Sequence, residues 1–150
     1  MESLGRRNAK LTVRWALSLL SVTEVFFAVS ACGAWFESKI ALLDPAVGQS
    51  DGVVFCLRVL DKEGNGLANL LEKPVGEDGF WVVRRDLSRF AGQEIALQLE
   101  VSPGPHNNSA WDWAVWHRPA VRSADGALLL DMLEAFDQAD VGYILSLIHI

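Results

Sequence analysis

The sequence has few of the residues that bind metals or polyanions. It contains two cysteines and three histidines among 150 residues, and no pair of them stands at the spacing of zinc ligands. We therefore expect no cofactor, and we expect Cys32 and Cys56 to be small buried side chains, with a disulfide between them as the alternative. Thirteen Lys and Arg stand against nineteen Asp and Glu, a net charge of -6. This balance argues against a nucleic-acid partner, because an acidic surface repels phosphates.

The signatures of the common enzyme classes are also missing. The chain has no nucleophile elbow, P-loop, dinucleotide fingerprint or zinc-enzyme motif. His106, Asp112 and His117 could form an acid/base cluster, but no nucleophile motif accompanies them. We therefore expect a protein without catalytic activity.

Alternation of apolar and polar residues is the clearest pattern that is present. Ile95, Leu97 and Leu99 share one side of an extended chain, which predicts a half-buried strand over residues 94–101. Residues 53–60 form a longer apolar run that includes Phe55 and Leu57, and this run predicts a more deeply buried strand.

Weaker runs cover residues 34–42 and 80–85, and clusters of Gly, Asp, Asn and Pro separate all of them. No helix-sized segment alternates with these strands. This spacing predicts an all-β fold, an antiparallel β-sandwich of the jelly-roll kind with about seven to nine strands, over residues 23–122.

The N-terminal segment, residues 1–22, is basic and then apolar. Such a segment indicates either a secretory signal or a part of the fold, and residues 29–32 (VSAC) leave an exported lipoprotein as an alternative. Glu24 interrupts the apolar stretch and leaves pieces too short to span a bilayer, so we expect no membrane partner.

The C-terminal segment, residues 123–144, is acidic. Leu128, Met132 and Phe136 recur at helical spacing, which predicts a short helix over residues 127–138 with Asp125 as its cap. Residues 145–150 (LSLIHI) resemble a translated sequencing adapter, as in a metagenomic fragment. We expect the natural chain to continue beyond residue 143 or so, and residues 1–12 and 145–150 to pack poorly.

Residues 61–72 nearly match a calcium-binding loop. Asp61, Asn65, Gly66 and Glu72 occupy positions one, five, six and twelve of that template. A strand is predicted before them, and Pro74 blocks the helix that should follow. We interpret the segment as a hairpin turn, with calcium binding as the alternative.

The most informative stretch is residues 102–119 (SPGPHNNSAWDWAVWHRP), where three of the six tryptophans lie within six residues. Aromatic rings stack on the apolar faces of sugars, and Asp, Asn and His side chains supply directional hydrogen bonds. The residues predicted to contact a carbohydrate are Trp111, Trp113, Trp116, Asp112, His106, Asn107 and Asn108. If the segment is a strand, Trp111 and Trp113 lie on one side and Trp116 on the other, so at least one tryptophan faces the core.

Three short segments and a proline carry a resemblance to a known family. They are residues 50–55 (SDGVVF), 86–93 (DLSRFAGQ) and 111–116 (WDWAVW), followed by Pro119. In this order they resemble landmarks of a galactose-binding-like β-sandwich, and they are most similar to the NPCBM type, a carbohydrate-binding module attached to some bacterial glycoside hydrolases. The resemblance implies a module without catalytic activity and a pair of strands at residues 25–31 and 34–42. It transfers no sugar contacts.

These observations together predict a non-catalytic carbohydrate-binding module of a larger bacterial protein, located in the periplasm or outside the cell. Its partners would be a carbohydrate and the other domains of the full-length protein. One alternative is a structural or protein-interaction β-sandwich without a sugar ligand, which would lack an exposed aromatic pair beside a polar loop. A fragment of a hydrolase is a further alternative.

Overall fold

The computed structural model describes residues 13–14, 22–28, 33–108, 110–132 and 134. In these ranges nine strands form two antiparallel sheets. The strands are β1 (Val13–Arg14), β2 (Val22–Ala28), β3 (Ala34–Leu42), β4 (Val53–Leu60), β5 (Gly66–Val75), β6 (Phe80–Asp86), β7 (Glu94–Pro103), β8 (Ala114–Ser123) and β9 (Leu128–Asp131). The first sheet has the order β1-β2-β7-β4-β5, and the second has the order β6-β3-β8-β9.

The two sheets enclose one main hydrophobic core. Phe55 of the first sheet and Phe36 of the second both meet the indole ring of Trp116 edge-on, at centroid distances of 5.2 and 6.1 Å. Ile40 and Val121 of the second sheet are fully buried in the same cluster. The chain is therefore an all-β antiparallel β-sandwich, as the sequence predicts.

The alternation seen in the sequence is confirmed in β7 and β4. Ile95 and Leu97 are fully buried and Leu99 is nearly so, while Phe55 and Leu57 are also fully buried. Burying one such side chain contributes about 1.5–3 kcal/mol to stability. Strands β3 and β6 lie where the weaker runs predict them.

The strand pair that the resemblance implies before residue 50 is present as β2 and β3. Strand β2 pairs along β7, with Val25 opposite Leu97 and Phe27 opposite Ile95. The segment around Glu24 is thus part of the first sheet. Residues 1–12 lie outside the described ranges, and so do Cys32 and residues 145–150.

The helix predicted over residues 127–138 is wrong at its start. Leu128–Asp131 is strand β9, which pairs with β8. The carboxylate of Asp125 accepts hydrogen bonds from Ser123 Oγ and from the amide of Ala127 at 3.3 Å, so it stabilises the hairpin turn instead of capping a helix. The predicted helix extends mostly into residues that the structure does not describe. Among the described residues, no helix is long and apolar enough to cross a membrane.

The calcium-like segment begins with a hairpin turn between β4 and β5. One oxygen of Asp61, Oδ1, accepts hydrogen bonds from the amides of Glu63 at 3.0 Å and Asn65 at 2.8 Å. These bonds, and above all those from the Asn65 side chain, lower the pKa of Asp61. The hairpin interpretation is confirmed, because the chain continues directly into an antiparallel strand.

Candidate functional site

Two loops meet at one end of the sandwich through a glycine contact. They are the β3–β4 loop, residues 43–52, and the aromatic loop, residues 104–108 and 110–113. A Cβ atom at Gly104 would lie 2.2 Å from the carbonyl oxygen of Gly52, and Gly52 itself has a φ of +99°. Only glycine at residue 104 allows this approach, so the two loops are held side by side.

Trp111 and Trp113 form an exposed aromatic pair on the aromatic loop. The two residues are 44% and 41% exposed, and their ring centroids lie 5.3 Å apart at an interplanar angle of 39°. Both residues precede the start of β8 at Ala114, so they occupy a loop and not the strand considered in the sequence analysis. The pair presents indole surface to solvent.

The backbone fixes the position of this pair. Trp111 has a φ of +64°, a left-handed conformation that is uncommon for a bulky residue. The amide of Trp113 donates to the carbonyl oxygen of Trp111 at 2.8 Å, and the amide of Leu43 donates to the carbonyl oxygen of Trp113 at 2.7 Å. The second bond joins the aromatic loop to the end of β3. Strained backbone of this kind is found most often at functional sites.

Asp112 ties the aromatic loop to the β3–β4 loop. Its Oδ1 accepts a hydrogen bond from Ser50 Oγ at 2.6 Å, and Ser50 Oγ in turn accepts one from the amide of Gly52 at 3.0 Å. Its other oxygen, Oδ2, is buried and has no hydrogen-bond partner among the described residues. Burial raises the pKa of Asp112, the Ser50 bond opposes that rise, and the nearby charge of Asp51 adds to it.

A second pair of side chains joins the same two loops. Asp51 Oδ2 lies 2.9 Å from His106 Nδ1. The His106 side chain is 77% exposed, whereas that of Asp51 is 22% exposed. His106 therefore presents the free edge of its ring to solvent while Asp51 holds the other edge.

The two asparagines have different roles in the loop. Asn107 is exposed at a φ of +52°, and its amide closes a turn by donating to the carbonyl oxygen of Gly104 at 3.0 Å. Asn108 Oδ1 accepts a hydrogen bond from the amide of Ala110 at 3.1 Å. Asn107 thus keeps its side chain in solvent, while Asn108 stabilises the loop.

Trp116 lies apart from the other predicted contact residues. It is half-buried on β8 and packs against the core through Phe36 and Phe55. This position fulfils the expectation that at least one of the three tryptophans faces the interior.

His117, the third member of the possible acid/base cluster, is exposed and pairs with Lys39 across the second sheet. In the described part of the chain, no hydrogen bond joins His106, Asp112 and His117 to one another.

Ser50 and Asp51 belong to this site, although the sequence analysis did not include them among the contact residues. They precede a buried strand and lie 62 and 55 residues from their partners in the aromatic loop. Their signal in the sequence was the Ser-Asp-Gly turn before β4. Nothing local showed that this turn faces the tryptophans.

Comparisons with known proteins give limited similarity. No protein-family model matches the chain. An uncharacterized protein of Archaeoglobus fulgidus is 47% identical over 36 residues, which cover 24% of this chain and 9% of that protein. Among solved structures, the chain is similar to the CBM22-1 xylan-binding domain of Xyn10C from Paenibacillus barcinonensis. The TM-score is 0.38 at 12% sequence identity, over 79% of this chain and 83% of that one.

Proposed function

We propose that this chain is a non-catalytic carbohydrate-binding module and that Trp111 and Trp113 form its sugar-contacting surface. The observation that carries the proposal is the exposed aromatic pair, with 44% and 41% of the two residues open to solvent. Large apolar rings that remain exposed beside polar groups mark binding surfaces. Indole faces stack on the apolar faces of sugar rings, while neighbouring polar atoms bind the hydroxyls.

The polar residues of the site divide into two groups. His106 and Asn107 are exposed on the same loop as the aromatic pair, and they supply groups that can bond sugar hydroxyls. Asp112 and Asn108 use their side chains to hold the loop. We assign the first two to ligand contact and the last two to positioning. Trp116 is left out of the contact surface because it packs on the core.

The loop is held in shape before any ligand arrives. It is joined to the β3–β4 loop by the Ser50–Asp112 bond, the Asp51–His106 contact and the Leu43–Trp113 backbone bond. A site that is already ordered loses little conformational entropy on binding. With two stacking faces on a shallow surface, we expect dissociation constants on the order of micromolar to millimolar.

The wider setting of the module rests on the resemblance to NPCBM-type modules, which are attached to glycoside hydrolases. On that basis the chain is one module of a larger bacterial protein that acts in the periplasm or outside the cell. The other domains of that protein are then its covalent partners.

A glycan-array screen of the full 150-residue chain, followed by titration of the glycans that bind, tests the proposal. The double variant Trp111→Ala/Trp113→Ala removes the aromatic pair, and Phe80→Ala is the matched control because Phe80 is also exposed, at 61%, but lies on β6. We expect binding of neutral glycans to be lost in the double variant and kept in the control. A folded chain that binds no neutral glycan favours the structural or protein-interaction alternative and rejects the proposal.

A further inference from the structure

The outer face of the second sheet carries a groove that shares no residue with the aromatic loop. Its volume is about 540 Å³, within the usual range of about 300–1,000 Å³ for small-molecule sites. Val82, Ala120 and Leu128 give it an apolar surface, and the charged or ionisable residues that line it are Glu37, Lys39, His117, Arg118, Arg122 and Asp131. We call it the sheet groove.

A β-bulge shapes this groove. Glu37 pairs with Ala120 while Lys39 pairs with His117, so Ser38 lies opposite two residues of β8. The hydroxyl of Ser38 bridges the irregularity by donating to the carbonyl oxygen of His117 at 3.0 Å. Bulges of this kind redirect side chains and are common beside binding sites.

The bulge changes which residues reach solvent. In a regular strand, neighbouring side chains point to opposite faces, but His117 and Arg118 are both exposed and both line the groove. Arg118 has a φ of +49°, a left-handed conformation that is uncommon for residues other than glycine. With this backbone conformation, Arg118 lines the groove together with Lys39 and His117.

The cations in the groove have different surroundings. Arg122 is paired with Glu37, and Lys39 Nζ lies 4.6 Å from the ring centroid of Phe80. No carboxylate among the described residues lies within ion-pair distance of Arg118. Among the described residues, Arg118 and Lys39 are therefore the groove cations without a carboxylate partner and can bind an external anion.

We propose that the sheet groove binds the carboxylate of an acidic sugar, with Arg118 as its main contact and Lys39 beside it. Arg and Lys donate charge-assisted hydrogen bonds to a carboxylate. Glu37 and Asp131 add negative charge to the same groove, and the whole chain carries -6, so a dense polyanion such as nucleic acid is disfavoured. A uronate residue presents one carboxylate among several hydroxyls, which suits a groove of mixed charge.

The carboxylate in this proposal rests on the groove alone, whereas the sugar rests on the proposed function. The experiment separates the two. The full chain is titrated at low salt with trimers of galacturonate, glucuronate and mannuronate, with galactotriose as the neutral probe and with a short DNA duplex. The variants are Arg118→Gly, which suits the positive φ, and Arg118→Lys, which keeps the charge. The control is Lys62→Gly, an exposed cation in the β4–β5 turn.

We expect at least one uronate trimer to bind and Arg118→Gly to weaken that binding about ten- to hundredfold, the loss of one charged hydrogen-bonding group. Arg118→Lys is expected to restore most of the affinity. Lys62→Gly and the Trp111→Ala/Trp113→Ala variant are expected to leave it unchanged. The groove proposal is overturned if no uronate binds, if Arg118→Gly has no effect, or if DNA binds as tightly as the uronates. Whether the aromatic pair binds sugar is tested separately, with the neutral glycans of the array.

Discussion

The hydroxyl of Ser50 donates a 2.6 Å hydrogen bond to Oδ1 of Asp112. The two residues are 62 positions apart in the chain, so this bond joins two separate loops. The same hydroxyl oxygen accepts a hydrogen bond from the amide of Gly52. A single side chain thus connects the start of β4 to the residue between the two exposed tryptophans. The position of the aromatic pair therefore depends on Ser50 and Asp112, two residues that are not themselves aromatic.

Ser50→Ala tests this connection. The change removes both hydrogen bonds and leaves the Asp112 carboxylate without its donor, so we expect a loss of about 1–3 kcal/mol in the free energy of unfolding. Urea unfolding measures it. Ser50→Thr keeps the hydroxyl and is the conservative control. Equal stability of Ser50→Ala and the natural chain would show that the bond does not hold the loops together.

Asp112→Asn tests the effect of burying a carboxyl group here. Because the folded-state pKa of Asp112 is raised, folding favours the protonated form. The stability that Asp112 contributes to the folded chain is fully present below its unfolded-state pKa of about 3.9. This stability is lost as the pH rises through its folded-state pKa. Asn does not titrate, so the melting temperature of Asp112→Asn relative to the natural chain is expected to rise between pH 3 and pH 7.

Asp86→Asn is the control for that series, because hydrogen bonds from Ser88 lower the pKa of Asp86. The contribution of Asp86 is present above the unfolded pKa and is lost as the pH falls through the folded pKa. The relative melting temperature of Asp86→Asn is therefore expected to fall as the pH rises. If both variants follow the same trend, the burial of Asp112 does not govern its titration.

Gly104→Ala tests the close approach of the two loops. An alanine Cβ would lie 2.2 Å from the carbonyl oxygen of Gly52, whereas a Cβ at Gly66 has no atom within 4 Å. We expect Gly104→Ala to lower the melting temperature and to weaken glycan binding, and Gly66→Ala to change neither. The measurements are thermal melts and titration with the best glycan from the array. If Gly104→Ala changes neither quantity, the two loops can move apart without loss of stability or of glycan binding.

Leu97→Ala tests the inward face of β7. Leu97 is fully buried between the sheets, so its truncation is expected to cost about 2–5 kcal/mol. Leu67 on β5 is 45% exposed, and Leu67→Ala is expected to change stability by no more than about 0.5 kcal/mol. Urea unfolding of both variants compares them. Equal losses of stability in the two variants would show that the difference in burial between Leu97 and Leu67 has no effect.

The parts of the fold that could be predicted from sequence are those in which local pattern and burial agree. Leu97 and Phe55 belong to strands with one clear apolar face, so their direction follows from alternation alone. Leu128 shows the limit of that reasoning. It has helical spacing to Met132, but pairing of β9 with the edge of β8 determines its conformation. Tertiary pairing of this kind has no local signal.

The candidate site could also be predicted only in part from the sequence. The density of aromatic rings around Trp111 and Trp113 was visible in the sequence. Their separation from Trp116 was not, because it depends on where β8 begins, and a strand boundary is poorly marked in the residues themselves. The partnership of Ser50 with Asp112 depends on the two sheet ends meeting in space, which a single sequence does not encode locally.

Trp116 and Trp113 provide the last test, because they are three residues apart and have opposite surroundings. Trp116 packs edge-on against two buried phenylalanines, so Trp116→Ala is expected to cost about 3 kcal/mol or more. Trp113 contacts the exposed ring of Trp111, so Trp113→Ala is expected to cost less than about 1.5 kcal/mol. Urea unfolding and glycan titration of both variants separate the two roles. Trp113→Ala is expected to lose binding while staying folded. If Trp116→Ala instead stays stable and loses binding, the sugar surface includes the inner tryptophan and the division argued from burial is wrong.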